Sequence, residues 1–326
     1  MKYKDVKYVC FVDSAYSLLL YILLYGKVQF ESTFFFASDA ISKSICGKMK
    51  FYKFLSKRKL SSSPLAIRVL SRFILSRISY LRWPFLKTVP IYGADHLWFT
   101  PALLKKRSMT VLEDGLTNYS YKAMTQTLSL KHHSLYKWIA GTFMCEGEFG
   151  YSSQVHKVIL TGKFAIPDCI KNKTELVDLL DLWTRADKEF IQNLFDLTYD
   201  DVCMIKSKRI MVLTQPYEEM IGTEELLKIY RRIVNLFKSE EVLIKTHPRD
   251  TIDYAGAFPN ITVYSKKIPV ELFVLLGINF SDVYTITSAS IYSFPDSVKK
   301  HFLGTECHPL LMKKCGKMTM ENCCGV

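Results

Sequence analysis

The chain has 326 residues, 49% of them hydrophobic and 23% charged, with a formal net charge of +13 and nine cysteines. That length and apolar content suffice for a sizeable core, favour two domains over one, and exclude an intrinsically disordered chain. The longest early apolar run, residues 18–24, is too short to cross a bilayer, and neither a signal peptide nor a transmembrane helix is expected.

Residues 6–12 (VKYVCFV) form a continuous apolar run of strand length that ends in Asp13-Ser14, a strand end followed by a helix cap. A helix is expected over residues 15–25, stopped by Gly26, and the β-branched and aromatic residues 28–36 read as the next strand. Strand, helix, strand opens a βαβ unit and predicts a parallel sheet. Residues 40–94 contain no acid, while Lys43, Lys48, Lys50, Lys53, Lys57, Arg58, Lys59, Arg68, Arg72, Arg77, Arg82 and Lys87 carry nearly the whole positive excess. Within that stretch Ser61-Ser62-Ser63-Pro64 caps a segment, residues 65–83, in which Ile67, Leu70, Phe73, Ile74, Ile78 and Leu81 alternate with arginines at helical spacing. A basic amphipathic helix of this kind suits an anionic leaflet, but it also fits a core-packed helix with a solvated basic face. Nucleic acid is the third polyanion to weigh, and no reader motif supports it.

A short strand follows at residues 88–92, closed by Gly93-Ala94-Asp95-His96, and another at residues 108–112 runs straight into Glu113-Asp114-Gly115. Two carboxylates and a turn-permitting glycine at a strand end place an acid at the ligand edge of a sheet, where it can take a proton from a hydroxyl. A plain Asp-Gly turn reads the same way. Residues 157–161 look like the last strand of this half, and residues 171–197 like one or two connecting helices. The second half opens with an apolar strand at residues 208–213 that ends in Thr214-Gln215-Pro216-Tyr217, followed by a helix capped at Thr223 and running to about Phe237.

The apolar run Glu241-Val242-Leu243-Ile244 ends in Lys245-Thr246-His247-Pro248-Arg249, two cations and an imidazole where a buried sheet opens, a good place to hold an anion. After a strand at residues 261–264, Pro269-Val270-Glu271 opens a short helix. Glu271 is ordinary first-turn chemistry, and its carboxylate can also accept from the vicinal hydroxyls of a ribose. A last strand, residues 283–286, ends in Thr287-Ser288-Ala289-Ser290, hydroxyls and amides that either cap a helix or cradle an anion. His308-Pro309 reads as structural. The nine cysteines include no CxxC pair, so reduced thiols in the cytosol are expected. The terminal Cys323-Cys324-Gly325-Val326 is not a prenylation box, because Gly325 is not aliphatic.

Glu113-Asp114-Gly115, His247-Pro248, Pro269-Val270-Glu271 and Thr287-Ser288, in that order and each at a strand end or helix start, resemble the bacterial sialyltransferases, most closely glycosyltransferase family 52. The opening strand into Ser14-Ala15-Tyr16-Ser17, the Tyr92-Gly93-Ala94-Asp95-His96 segment, Asn118-Tyr119 and Thr214-Gln215-Pro216 agree, so the resemblance spans most of the chain. It implies a GT-B α/β fold with two Rossmann-like domains whose parallel sheets face a central cleft. Residues 1–165 would form the acceptor-side domain, 166–205 a helical connector and 206–326 the nucleotide-sugar domain.

It further implies an inverting transfer from CMP-sialic acid to a galactose-type hydroxyl of a bacterial lipooligosaccharide or capsule, with no metal and no other cofactor. Asp114 would be the general base and His247 a phosphate contact; Thr287 and Ser288 would also bind phosphate. Glu113, Gly115, Gln215, Pro216, Lys245, Pro248, Arg249 and Glu271 would complete the substrate site. The expected partners are CMP-sialic acid, a galactose-terminated oligosaccharide and anionic inner-leaflet lipid through residues 43–87, without nucleic acid. The expected location is cytoplasmic and peripheral on the inner membrane. Another nucleotide sugar as donor, or a non-catalytic basic membrane-binding protein, are the alternatives.

Overall fold

In the computed structural model, residues 3–55, 65–97, 100–103, 106–119 and 147–320 are described. The chain divides into two compact units that meet in sequence between Leu194 and Phe195. Each is built on one parallel sheet, as the βαβ opening predicts.

The first sheet has seven strands: β1 (Tyr8–Val12), β2 (Thr33–Ser38), β3 (Phe51–Leu55), β4 (Ile91–Gly93), β5 (Met109–Leu112), β6 (Val155–Leu160) and β7 (Thr174–Leu176). Their order is β3-β2-β1-β4-β5-β6-β7, all parallel. The chain lays down β2 and β3 on one side of β1, then crosses back to place β4 to β7 on the other. The order therefore reverses between β1 and β4, the topological switch point at whose carboxyl edge ligands bind in open α/β sheets. The second sheet repeats the plan with β8 (Ile210–Leu213), β9 (Val242–Lys245), β10 (Thr262–Tyr264), β11 (Asp282–Thr285) and β12 (Lys299–Phe302), in the parallel order β10-β9-β8-β11-β12. Its switch point lies between β8 and β11.

Buried strands explain the continuous apolar runs. Every residue of β2, β5, β8 and β9 is buried, and in the first core Phe11 stacks on Phe36 at 4.7 Å, with Trp83 edge-on to Phe36 at 5.1 Å. Gly93 ends β4 at φ +99°, and a Cβ there would lie 2.0 Å from the carbonyl oxygen of Phe11. Only glycine lets β4 close this tightly on β1, and that approach carries Asp95 and His96 across the end of the central strand.

Several expected boundaries move. The first helix runs Ala15–Glu31, continuing past a local kink at Gly26 (φ 69°), so residues 28–31 are helical and the second strand begins at Thr33. Thr223 is not the cap but the first helical residue, after Gly222 at φ 85°. Residues 171–197 contribute the edge strand β7 as well as helices Leu179–Thr184 and Lys188–Leu194. Three strands, β3, β7 and β12, were not expected. His308 caps the helix Pro309–Cys315, its Nδ1 accepting from the Leu310 amide at 3.2 Å. Ser61-Ser62-Ser63-Pro64 and the terminal cysteine pair lie outside the described residues. No described helix is long and apolar enough to cross a membrane.

Candidate active site

In the first unit the ends of β1, β4 and β5 bring Asp13-Ser14, Asp95-His96 and Glu113-Asp114 together beside the switch point. The two adjacent carboxylates are treated in opposite ways. Glu113 is 1% exposed and accepts four hydrogen bonds. They come from the Tyr16 hydroxyl at 3.1 Å, the Tyr119 hydroxyl at 2.8 Å, and the Thr161 amide and hydroxyl at 2.5 and 2.8 Å. Glu113 thus ties the end of β5 to the end of β6 and to the first helix, and its oxygens are occupied by the protein itself.

Asp114 turns the other way. Its Oδ1 accepts a short hydrogen bond from the Ser14 hydroxyl, and its backbone amide donates to Asn118 Oδ1 at 2.8 Å. Ser14 is the N-cap of the helix Ala15–Glu31, its oxygen accepting from the Ser17 amide at 3.0 Å. The carboxylate therefore sits at the positive end of a 17-residue helix. Gly115, at φ +107° with open space where a Cβ would be, makes the turn that leaves this acid at the edge.

His96 supplies the cation. Its Nε2 lies 2.9 Å from Asp13 Oδ2 and 3.8 Å from Asp114 Oδ2, and its Nδ1 lies 3.8 Å from Asp95 Oδ1. Burial works against charge on the ring, but the bond to Asp13, the neighbouring Asp95 and the charges of Asp114 and Asp13 outweigh it and push the pKa up to about 10. The ring stacks on Phe149 at 4.3 Å. Phe149 is itself held at φ 62°, a left-handed conformation unfavourable for an aromatic residue, while Asp95 accepts its amide and that of Gly150 at 2.8 and 2.7 Å. Oxygens of Asp13 and Asp114 and a nitrogen of His96 all lie within 4.8 Å of one another. The surrounding carboxylates favour a proton on that ring, with which a metal ion at the same place would compete.

In the second unit, the loops after β8, β9 and β11 form a second hydrogen-bonded group. The Thr214 hydroxyl donates a short bond to Asp250 and accepts the His247 amide at 2.9 Å, and that amide also reaches Asp250 Oδ2 at 2.9 Å. The Gln215 amide donates to the Tyr230 hydroxyl at 2.8 Å. Tyr217 and Thr287 share a hydroxyl–hydroxyl bond of 2.5 Å, which ties the β8 loop to the β11 loop. Ser288 caps the short 3₁₀ turn Ala289–Ser293, and Glu271, buried in the first turn of helix Val270–Leu275, accepts from Ser293 Oγ at 2.5 Å.

The two predicted cations here differ sharply. Lys245 is 4% exposed, and burial, partly countered by Asp250, lowers its pKa to about 8. Its Nζ donates to the Thr246 carbonyl at 3.0 Å. Arg249 is exposed. His247 is neutral at pH 7. Burial, reinforced by Arg249, Lys245 and Lys267, lowers its pKa to about 4. Its Nδ1 accepts the Arg249 amide at 3.1 Å, so the ring proton is assigned to Nε2, which is left to donate to an anion. Pro248 holds the turn between them.

The profile of glycosyltransferase family 52 matches residues 20–309. The chain belongs to glycosyltransferase family 52. It is 31% identical, over 97% of its own length and 100% of the other's, to an uncharacterized protein of Haemophilus influenzae. Among solved structures it is similar to a Photobacterium 2,6-sialyltransferase crystallised with the donor product CMP and the acceptor substrate lactose. That pair has a TM-score of 0.60 at 12% identity, covering 91% of this chain and 71% of the other. It also resembles the GT-B domain of a Photobacterium damselae sialyltransferase, with a TM-score of 0.56 at 13% identity and coverage of 91% and 90%. A third similar structure is the α/β-galactoside α-2,3-sialyltransferase of Photobacterium phosphoreum, at a TM-score of 0.55 and 13% identity over 92% and 90%. These likenesses establish a GT-B fold.

In this family 52 chain every expected site residue lies at a carboxyl strand edge or a helix start within its own unit. Glu113, Asp114 and Gly115 gather at the first switch point; Gln215, Pro216, Lys245, His247, Pro248, Arg249, Thr287 and Ser288 gather around the second. The first group also contains residues that the motifs did not single out as functional. Ser14 and Asp95-His96 lie in segments that carry the family resemblance, but in sequence Ser14 reads as a helix cap and Asp13, Asp95 and His96 as strand-end punctuation, with no role assigned. Their common signal is polar residues at the ends of strands adjacent to the reversal of strand order, and that adjacency is a property of the folded sheet.

Proposed function

We propose that this protein is a sialyltransferase that moves sialic acid from CMP-sialic acid to a galactose-type hydroxyl of a bacterial surface glycan, lipooligosaccharide or capsule, with inversion at the anomeric carbon. Asp114 takes the proton of the acceptor hydroxyl as that oxygen bonds to the anomeric carbon and the bond to the phosphate oxygen of CMP breaks. The observation that carries the reading is the contrast between the two acids. Glu113 is consumed by four protein donors, while Asp114 is held at the sheet edge by Ser14 beside a protonated histidine.

Charge growing on the departing phosphate is met by the Nε2–H of neutral His247, by Lys245 and Arg249, and by the hydroxyls of Thr287 and Ser288, so the transfer needs no metal. Glu271 accepts from the ribose hydroxyls, and Gln215 with Pro216 walls the nucleotide. Membership of family 52 and a fold shared with a sialyltransferase that holds CMP and lactose support this assignment.

Nucleotide choice is tested by thermal unfolding. A ligand at about 100 times its Kd adds about 2.7 kcal/mol, so CMP should raise the midpoint by several degrees where UDP at the same concentration does not. Stabilisation by UDP and not by CMP would assign a hexose donor instead.

A further inference from the structure

Threonine hydroxyls line the carboxyl edge of the second sheet, and each has one proton to give and two lone pairs to receive. At Thr214 the proton is committed: the hydroxyl donates to Asp250 and accepts the His247 amide at 2.9 Å. Thr285 is committed too, donating to the Leu213 carbonyl at 3.3 Å and accepting the Ser288 amide at 2.9 Å. Thr287 differs. Its hydroxyl meets the hydroxyl of Tyr217 at 2.5 Å, and among the described residues neither group has another hydrogen-bond partner. Two O–H groups that share one bond leave one proton over.

Elementary chemistry decides which hydroxyl keeps it. A phenol is the more acidic O–H and, with a lone pair drawn into its ring, the poorer acceptor, so Tyr217 donates and Thr287 accepts. Burial raises the phenol above its ordinary pKa, so the proton it donates is present at neutral pH. Tyr217 follows β8, packs on the second core and leads into the short helix Glu218–Ile221. Thr287 follows β11 and is 9% exposed. The two side chains are thus anchored on neighbouring strands of one sheet, and the orientation of the threonine is set from outside its own loop.

We propose that Tyr217 is a positioning residue for the nucleotide phosphate: by donating to Thr287 Oγ it turns the threonine proton outward, toward a phosphate oxygen, and polarises it. With the opposite polarity Thr287 would present a lone pair to the anion and repel it. The inference rests on the reading of Thr287 as a phosphate contact and adds to it a residue that touches no ligand itself.

The test is calorimetric titration of the full chain at pH 7 with CMP and with cytidine, which lacks the phosphate. Wild type should bind CMP. Tyr217→Phe keeps the ring and should weaken CMP by about threefold to tenfold, the worth of one neutral hydrogen bond, while cytidine binding stays unchanged. Thr287→Val should lose at least as much, and adding Tyr217→Phe to it should cost nothing further, because Tyr217 acts only through Thr287. Replacing Tyr217 by 3-fluorotyrosine, a stronger donor on the same ring, should tighten CMP binding, and this measurement stands even where the phenylalanine variant fails to fold. Unchanged CMP affinity in Tyr217→Phe, equal losses for CMP and cytidine, a further loss in the double variant, or weaker binding with fluorotyrosine would each overturn the proposal. The choice of donor fails separately: if wild type binds UDP and not CMP, the CMP-sialic acid reading falls, and Tyr217 is judged by the same comparison of UDP with uridine. Wild type that binds neither nucleotide would overturn both.

Discussion

Replacing His96 by Asn removes the cation that the described residues place among three carboxylates, Asp13, Asp95 and Asp114, while keeping a polar side chain near Asp13. The 3.8 Å separation of His96 Nε2 and Asp114 Oδ2 corresponds to about 4 kcal/mol of attraction at an effective dielectric of 20. All of it acting on Asp114 would move that acid's titration by about 3 pH units. Asp13, at 2.9 Å, takes the larger share of the cation, so the acidic limb of kcat/KM should rise by about 1 to 2 units, with only a modest loss of rate at pH 8. The assay is transfer from CMP-sialic acid to lactose between pH 4.5 and 9. Stability supplies an independent check whose sign is opposite to that of an acid. His96 has its pKa raised in the fold, so its contribution is complete below pH 6.5 and is lost as pH rises through about 10. At 1.36 kcal/mol per pH unit this is at most about 5 kcal/mol. Wild type should therefore weaken over that window, and the Asn variant should be flatter and less stable below it. An unmoved acidic limb together with an unchanged pH dependence of unfolding would refute the idea that His96 acts through its charge.

Glu113→Gln should cost about 3 kcal/mol in urea unfolding, because hydrogen bonds to a charged acceptor are worth about 1.5 to 3 kcal/mol each and an amide presents donors to the surrounding donors; a loss below 1 kcal/mol would mean the carboxylate is not the anchor described. Gly93→Ala and Gly115→Ala impose a similar backbone penalty, but only the first drives a Cβ against the Phe11 carbonyl. The former should unfold the protein or cost more than about 3 kcal/mol, and the latter about 1 to 2; equal effects would contradict the close approach of β4 to β1. His247, with its pKa lowered to about 4, should give the NMR signature of a neutral ring protonated on Nε2 down to about pH 4, and should withdraw stability as pH falls from 6.5 through 4. A titration midpoint near 6.5 would contradict its burial among cations.

The fold was legible where burial is two-sided. Residues 109–112, 210–213 and 242–245 are apolar at every or nearly every position because they lie inside parallel sheets covered on both faces. The strands not foreseen, FYKFL, TEL and KKHF, are the edge strands β3, β7 and β12, which pair on one side only and can carry charged residues. Gly26 was expected to end a helix that in fact kinks and continues to Glu31. Asp114 was legible as a strand-end acid before glycine. Its division of labour with Glu113 was not, since which of two consecutive residues faces inward depends on the strand's phase relative to β6. His96 was named without a role for another reason. It meets Asp13 and Asp114 only because β4 is inserted between β1 and β5, and nothing local to Asp95-His96 encodes that order. The amphipathic helix was recognised as such, but periodicity gives the existence of an apolar face without saying whether it points inward.

The most direct measurement is transferase turnover, sialic acid moved from CMP-sialic acid to lactose, in wild type, Asp114→Ala and His247→Ala. The account predicts transfer with inverted anomeric configuration in wild type and a loss of about two or more orders of magnitude in each variant. Near-native turnover in Asp114→Ala, or transfer only from a different nucleotide sugar, would contradict it.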